Sequence, residues 1–231
     1  MFPRRVVALT GPPGSGKSTQ ARRLARTLGR DGHPALLASV PALFRGSGPV
    51  WPLVTPEEAA EIRRLRDEAE SLASKGHLMP CGLDRILVAA IRRATPGTPV
   101  ILDGAPRGLD QSRILLAGLP DLRDLTIVHL RLPGDPVPAS FARQMARERA
   151  RTGEAPGPDV EQRLLAKART YVTDTVAGLV EARRAGVRIV DLDATPPEDT
   201  VEARIRLRVG LPSAERITAG TRTPLGATPW N

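Results

Sequence analysis

The stretch GPPGSGKST, from Gly11 to Thr19, limits what the rest of this chain can fold into. It follows directly on the apolar run Val6 to Leu9. Glycine and proline punctuate helices and strands alike, so a backbone this rich in both is shaped to lie against something. The stretch fits G-x-x-x-x-G-K-[ST] from Gly11 to Ser18, with a strand-like run before it and a helical pattern after it. In that setting successive N–H groups of Gly11, Pro12, Pro13, Gly14, Ser15 and Gly16, prolines excepted, can converge on phosphate oxygens. The following helix adds its positive N-terminal end, Lys17 reaches the terminal phosphates, and Ser18, followed by Thr19, can ligate magnesium. A plain Gly-Pro turn would not need the complete match.

Composition narrows the setting. At 231 residues the chain suits one sizeable core, and the lone cysteine, Cys81, has no intramolecular partner for a disulfide. No apolar run is long enough for a membrane span or a secretory leader, so a cytoplasmic protein that binds no membrane is expected. The formal charge of +9 is almost wholly arginine, since Lys17, Lys75 and Lys167 are the only lysines. Aromatic residues make up only 3%, which leaves little from which to build a base-stacking platform for nucleic acid. The charge suits a small polyanion in a cleft.

Apolar runs at Val6–Leu9, Ala35–Ala38, Val100–Leu102, Leu125–Leu130 and Val187–Leu192 read as short strands covered on both faces. Helical patterns alternate with them at 18–29, 83–94, 111–117, 139–151, 160–185 and 198–208. The clearest helix start is TPEE, with Thr55 as N-cap, Pro56 in the first turn and Glu58 closing a capping box, after which Ile62, Leu65, Ala69 and Leu72 form one stripe. This alternation predicts an α/β doubly wound sheet. Residues 211–231, punctuated by Pro212, Gly220, Pro224, Gly226 and Pro229, predict a loose tail.

A phosphate loop serves kinases, switch GTPases and motor ATPases alike. A guanine-reading [NT]-K-x-D is absent, the only asparagine being Asn231. Three further features then resemble the adenylate kinase and nucleoside monophosphate kinase family. GPPGSGKSTQARRLA is similar to that family's opening, GxPGSGKGTQ. VILDGAPRGLDQ, Val100 to Gln111, is similar to its LDGFPR followed by Gln, and KGHLMP, Lys75 to Pro80, to its GxLVP. The likeness runs from about Arg5 to Gly210.

The resemblance implies a P-loop NTPase three-layer sandwich with a five-stranded parallel sheet over residues 1–210. It also implies a helical acceptor-binding insertion at about 40–95 and a short lid at about 148–160. It implies an ATP- and Mg²⁺-dependent kinase, acting as a monomer on a small nucleotide or nucleotide-like acceptor. Asp103, closing a strand, is placed to face the phosphate loop and hold magnesium with Ser18. By resemblance Arg107 clamps the acceptor phosphate with Gly104 beside it, Gln111 reads the acceptor base, and Arg45, from SVPALFR aligned with the family's STGDLLR, is a second phosphate contact. Arg143 and Arg147, one turn apart, match an R-x-x-x-R that stacks on the donor adenine and clamps the transferring phosphates.

The departures sit on the acceptor side and in the lid. Val40 and Ala42 stand where the family has Thr and Asp, Ala105 where it has Phe, and Ser18 where it has Gly. Ala105 should leave room for a bulkier acceptor. APGPD at Ala155–Asp159 replaces the lid's GRxDD, with Arg149 and Arg151 as candidate substitutes for its arginine, while Lys167 aligns with a family arginine beyond the lid. No acidic residue lies between Asp31 and Glu57, so Asp103 is the expected base for any hydroxyl acceptor. Such a kinase, and a regulatory nucleotide-binding protein without efficient turnover, stay open beside a monophosphate kinase. His33, His77, His129 and Cys81 have no metal-site spacing, and His129, Asp191 and Asp193 read as structural.

Overall fold

The structure, a computed structural model, describes residues 5–119 and 121–211. Five strands form one parallel sheet: β1 (Val6–Thr10), β2 (Leu36–Ala38), β3 (Val100–Asp103), β4 (Leu125–Arg131) and β5 (Arg188–Asp193), in the order β2-β3-β1-β4-β5. Each predicted strand is present. The strand order changes direction beside β1, so the crevice that such sheets offer at their C-terminal edge opens where β1 passes into the phosphate loop.

The helices are α1 (Lys17–Arg30), α2 (Val40–Phe44), α3 (Pro56–Arg64), α4 (Arg66–Ser74), α5 (Cys81–Arg92) and α6 (Leu109–Gly118), then α7 (Pro136–Thr152), α8 (Pro158–Thr170), α9 (Val176–Arg184) and α10 (Glu198–Val209). Alternate residues of β1 divide the core. Val7 and Leu9 pack with Ala21, Leu24 and Leu28 of α1 and with Val201, Ile205 and Val209 of α10. Val6 and Ala8 pack on the other face with residues of α5, α6 and α9. Burial on both faces explains the unbroken apolar runs, and the result is three layers.

Three local differences from the sequence reading have physical causes. The stripe from Ile62 to Leu72 is carried by two helices that break at Leu65, although Ile62 and Ala69 are both buried as expected. The helix expected over 160–185 is interrupted by a π-turn, Tyr171–Thr175, between α8 and α9. The short α2 follows β2 directly because Ser39 accepts the Ala42 N–H at 3.2 Å and Pro41 sits in the first turn, where its missing N–H costs nothing. The Thr55–Glu58 capping box forms as read.

Of the predicted tail, Leu211 is buried and its N–H bonds to the Arg206 carbonyl, so the loose segment does not begin there; residues 212–231 lie outside the described residues. Among the described residues no helix is long and apolar enough to cross a membrane.

Candidate active site

The phosphate loop is held by its carbonyls. Lys17 Nζ donates to the Pro12 carbonyl at 2.7 Å, Ser140 Oγ of α7 to Pro13 at 2.7 Å, and Arg143 Nη1 to Gly14 at 3.3 Å. Within the loop the Ser15 N–H also donates to the Pro12 carbonyl at 3.2 Å. α1 begins at Lys17 with no side-chain cap and no acidic residue in its first turn, so its orphan N–H groups remain for a ligand. Gly11 is required by packing: a Cβ there would lie 2.2 Å from the Leu130 carbonyl oxygen, at a φ of +142°.

The loop residues Gly11, Pro13, Gly14 and Gly16 and the first turn of α1 line a cleft of about 840 Å³. Lys17, Ser18 and Thr19 line it, together with Arg143 and Arg147 from α7 and with Asp103, Arg107 and Arg45. The structure thus brings these predicted residues to one place. Ser18 Oγ donates to Asp103 Oδ1 at 2.9 Å, which sets a hydroxyl and a carboxylate side by side at the foot of the loop. These are hard oxygen donors of the kind magnesium takes when water and phosphate complete its shell.

Arg107 is fixed from three directions. Its Nε donates to the Gly104 carbonyl at 2.5 Å, its backbone N–H to Gln111 Oε1 at 2.8 Å, and its carbonyl accepts from Thr175 Oγ1 at 2.8 Å. Gly104 has a φ of +75°, and a Cβ there would lie 2.4 Å from Arg107 Nη2, so the glycine lets the guanidinium fold back over the strand end. Gln111, expected to read a base, is buried and braces Arg107; it is not on the cleft wall. Ala105 is likewise buried among core residues and is not on the cleft wall.

Electrostatics are dominated by crowding of cations. Burial, and then Arg107, push the Lys17 ammonium down to about 7; Asp103 opposes this and Arg147 adds to it. Burial, then Arg163 and Arg107, lower Lys167, which lines the cleft from α8. Arg149 and Arg151 do not line it, and Arg151 instead pairs with Glu148 at 2.6 Å on the surface.

Several cleft groups escape the sequence reading. Arg22, Ser39, Tyr171, Thr175 and Glu198 also line the cleft. Asp84, in the first turn of α5, is 5% exposed, and burial pushes its carboxyl up to about 7 against the pull of Arg107 and the Gln111 amide. Asp103 is therefore not the only carboxyl at Arg107. Only a search of every segment for acids beside KGHLMP could have found it, since nothing in its spacing points to Arg107. A second cavity of about 250 Å³ adjoins the loop, walled by Arg143 and by Thr195, Pro196, Pro197 and Glu198; Arg143 Nη1 also reaches the Ala194 carbonyl at 3.3 Å.

A five-stranded parallel sheet with a phosphate loop after β1, a carboxylate at the end of β3 and arginines on both sides of the cleft defines a P-loop kinase, a phosphotransferase. Comparison with known proteins sharpens this. The adenylate kinase of Deinococcus radiodurans is 30% identical over 200 residues, covering 84% of this chain and 92% of that protein. The adenylate kinase of Thermus thermophilus is 29% identical over 211 residues, covering 90% and 98%. The chain belongs to the adenylate kinase family. No family model matches it. Among solved structures, a gluconokinase from Sinorhizobium meliloti 1021 is similar with a TM-score of 0.50 at 18% identity, covering 96% of this chain and 99% of that one, a likeness of fold.

Proposed function

We propose that this protein transfers the γ-phosphoryl group of ATP to a nucleoside monophosphate or a close analogue. The observation that carries the reading is that Arg107, its Nε held by the Gly104 carbonyl and its backbone by Gln111 and Thr175, lines the same cleft as Lys17 and the phosphate loop. A guanidinium fixed in this way suits bidentate capture of an acceptor phosphate. The loop N–H groups and Lys17 hold the donor phosphates, while the 250 Å³ cavity beside Arg143 suits the donor's base. Ser18 and Asp103 would hold magnesium, which supplies charge neutralisation at the phosphates when bound.

A nucleotide phosphate has its second pKa near 6 and needs no base to become a nucleophile at neutral pH. An alcohol does. Asp103 already accepts from Ser18, so its commitment to the magnesium side favours the phosphate acceptor over a hydroxyl one. Arg107 and Arg45 then aim the acceptor, and Arg143 and Arg147 screen charge as residues 148–160 close as a lid and exclude water. Catalysis in this reading is positioning and electrostatics. Residues 1–210 would act as one unit, with the acceptor-binding segment at 40–95, as a monomer in the cytoplasm.

The test is an acceptor screen that follows ATP consumption with monophosphates, nucleosides and simple alcohols, using Lys17→Ala as the blank. A monophosphate is expected to be the best acceptor, and AMP not the preferred one, because Val40 and Ala42 lack the hydroxyl and carboxylate of the family pattern. Turnover with alcohols alone overturns the reading. AMP as best acceptor, at roughly 10⁶ M⁻¹s⁻¹ or more, overturns the interpretation of those departures.

A further inference from the structure

His129 reads as structural in the sequence, yet in the fold it joins the surface to the cleft. It lies on β4 with Thr10 of β1 and Asp191 of β5 as its register partners, at the sheet edge where the phosphate loop begins. Its Nδ1 lies 2.7 Å from Asp191 Oδ1 and its Nε2 lies 2.6 Å from the hydroxyl of Tyr171. Tyr171 is buried and lines the cleft.

The polarity of this chain of hydrogen bonds follows from its ends. Asp191 can only accept when ionised, so Nδ1 carries the imidazole proton and Nε2 is left with its lone pair. Burial lowers the His129 pKa despite the pull of Asp191, which keeps the ring neutral near pH 7. The Tyr171 O–H must therefore donate to Nε2, and what remains on the phenol oxygen is acceptor capacity alone.

That makes Tyr171 an uncharged acceptor in a cleft whose charged groups, apart from the carboxylates Asp103 and Glu198, are cations. The cleft offers Lys17, Arg22, Arg45, Arg107, Arg147 and Lys167, all donors suited to phosphate. A phenol oxygen that can only accept is useless to a phosphate and complementary to a hydroxyl. Its link to the acceptor clamp is through the chain: it opens the π-turn whose last residue, Thr175, donates to the Arg107 carbonyl at 2.8 Å. π-turns inserted between helices often mark functional sites. Here the turn ties Tyr171 to the segment that carries the acceptor clamp.

We propose that Tyr171 accepts a hydrogen bond from a sugar hydroxyl of the phosphoryl acceptor, with His129 as the positioning residue that fixes the direction of the bond. This rests on the monophosphate reading and narrows it to hydroxyl-bearing, ribose-type acceptors over their deoxy counterparts. A site built to receive a hydroxyl rejects the analogue without it more strongly than an apolar pocket discriminates by size.

The experiment compares kcat/KM for ribonucleoside monophosphates with their 2′-deoxy and 3′-deoxy forms in the wild type, Tyr171→Phe, His129→Leu and His129→Gln. The wild type is expected to favour the ribose form over one of the deoxy forms by about tenfold or more, in keeping with the loss of a good hydrogen bond. Tyr171→Phe should bring that ratio near one while leaving the KM for ATP unchanged. His129→Leu, which frees the Tyr171 O–H, should do the same, and His129→Gln, whose amide oxygen can accept from Tyr171, should restore it. The wild-type ratio should also fall as pH drops and the imidazolium forms among Asp191, Arg131 and Arg183, the charged groups around it. A Tyr171→Phe enzyme that keeps the wild-type ratio, or that loses activity equally on both acceptors, overturns the inference. A wild type that consumes no monophosphate overturns the monophosphate reading itself, so the two failures are told apart.

Discussion

The donor half of the cleft and its acceptor half are built in different ways. The donor half is mainly backbone: a contiguous loop whose carbonyls are tied down by Lys17, Ser140 and Arg143, and a helix N-terminus left uncapped. The acceptor half is side chains from separate segments. Arg45 caps α2, Arg107 leaves the end of β3, Asp84 comes from α5, and Thr175 reaches in from the π-turn. A backbone cradle tolerates variation around it so long as a few residues keep their spacing. An assembly of side chains can be rewritten one segment at a time, and on the proposed reading the departures at Val40 and Ala42 fall in that half.

The largest effect should come from removing the one cation that anchors each half. Lys17→Ala and Arg107→Ala are each expected to lower turnover by about 10³- to 10⁵-fold, the range for cations that stabilise phosphoryl-transfer charge. The comparison predicts different signatures: besides lowering kcat, Lys17→Ala should raise the KM of ATP, and Arg107→Ala should raise the KM of the acceptor. Steady-state kinetics with each substrate varied in turn checks this, with circular dichroism confirming a folded chain. Near wild-type activity in either variant would remove that residue from the site.

The next effect separates the halves by stability. Asp84 has a folded pKa of about 7 against an ordinary value of 3.8, so between those values the folded protein holds a proton that the unfolded chain has released. Stability therefore falls as pH rises from about 4 to 7 and levels off above, by on the order of 4 kcal/mol if the whole shift is expressed. Asp84→Asn removes this slope. Denaturant midpoints of wild type and variant from pH 5 to 8 should diverge as pH rises, the variant becoming the more stable. His129 slopes the other way in part of this window, but it is present in both proteins and cancels in the difference. Parallel curves would mean that Asp84 does not carry this proton.

The two halves also differ in how far they can be read from sequence. The strands, the phosphate loop, the capping box at Thr55 and the pairing of Ser18 with Asp103 are legible because each rests on local periodicity or on a motif followed by a strand end. Gln111 and Ala105 belong to the acceptor wall by analogy alone, and the structure buries both, since which face of a segment meets solvent is decided by what packs on it. Asp84, Tyr171 and Thr175 are not legible at all. Tyr171 and Thr175 line the cleft and Asp84 lies buried near Arg107, each through a contact more than fifteen residues away in the chain, and no spacing rule reports such a meeting.

The smallest effect tests the donor half alone. In the empty protein Lys17 is held at a pKa of about 7, chiefly by burial, with its ammonium against the Pro12 carbonyl. Donor phosphates are strong anions placed at that same nitrogen, so the bound state favours charged Lys17 and its pKa rises on binding. Above pH 7 binding must then take up a proton, and ATP affinity falls as pH rises, by at most about tenfold for each pH unit while Lys17 is neutral in the free protein. The acceptor half enters this link only through the charge of Arg107. Titrations of ATP binding at pH 6.5 to 8.5, in buffers of different ionisation enthalpy, should show proton uptake in the wild type. Lys17→Met should lose that slope, and Arg107→Ala should keep it in reduced form, because Arg107 is the largest charge that lowers Lys17. A wild-type affinity that stays flat across this range would mean that the loop holds Lys17 charged before any phosphate arrives.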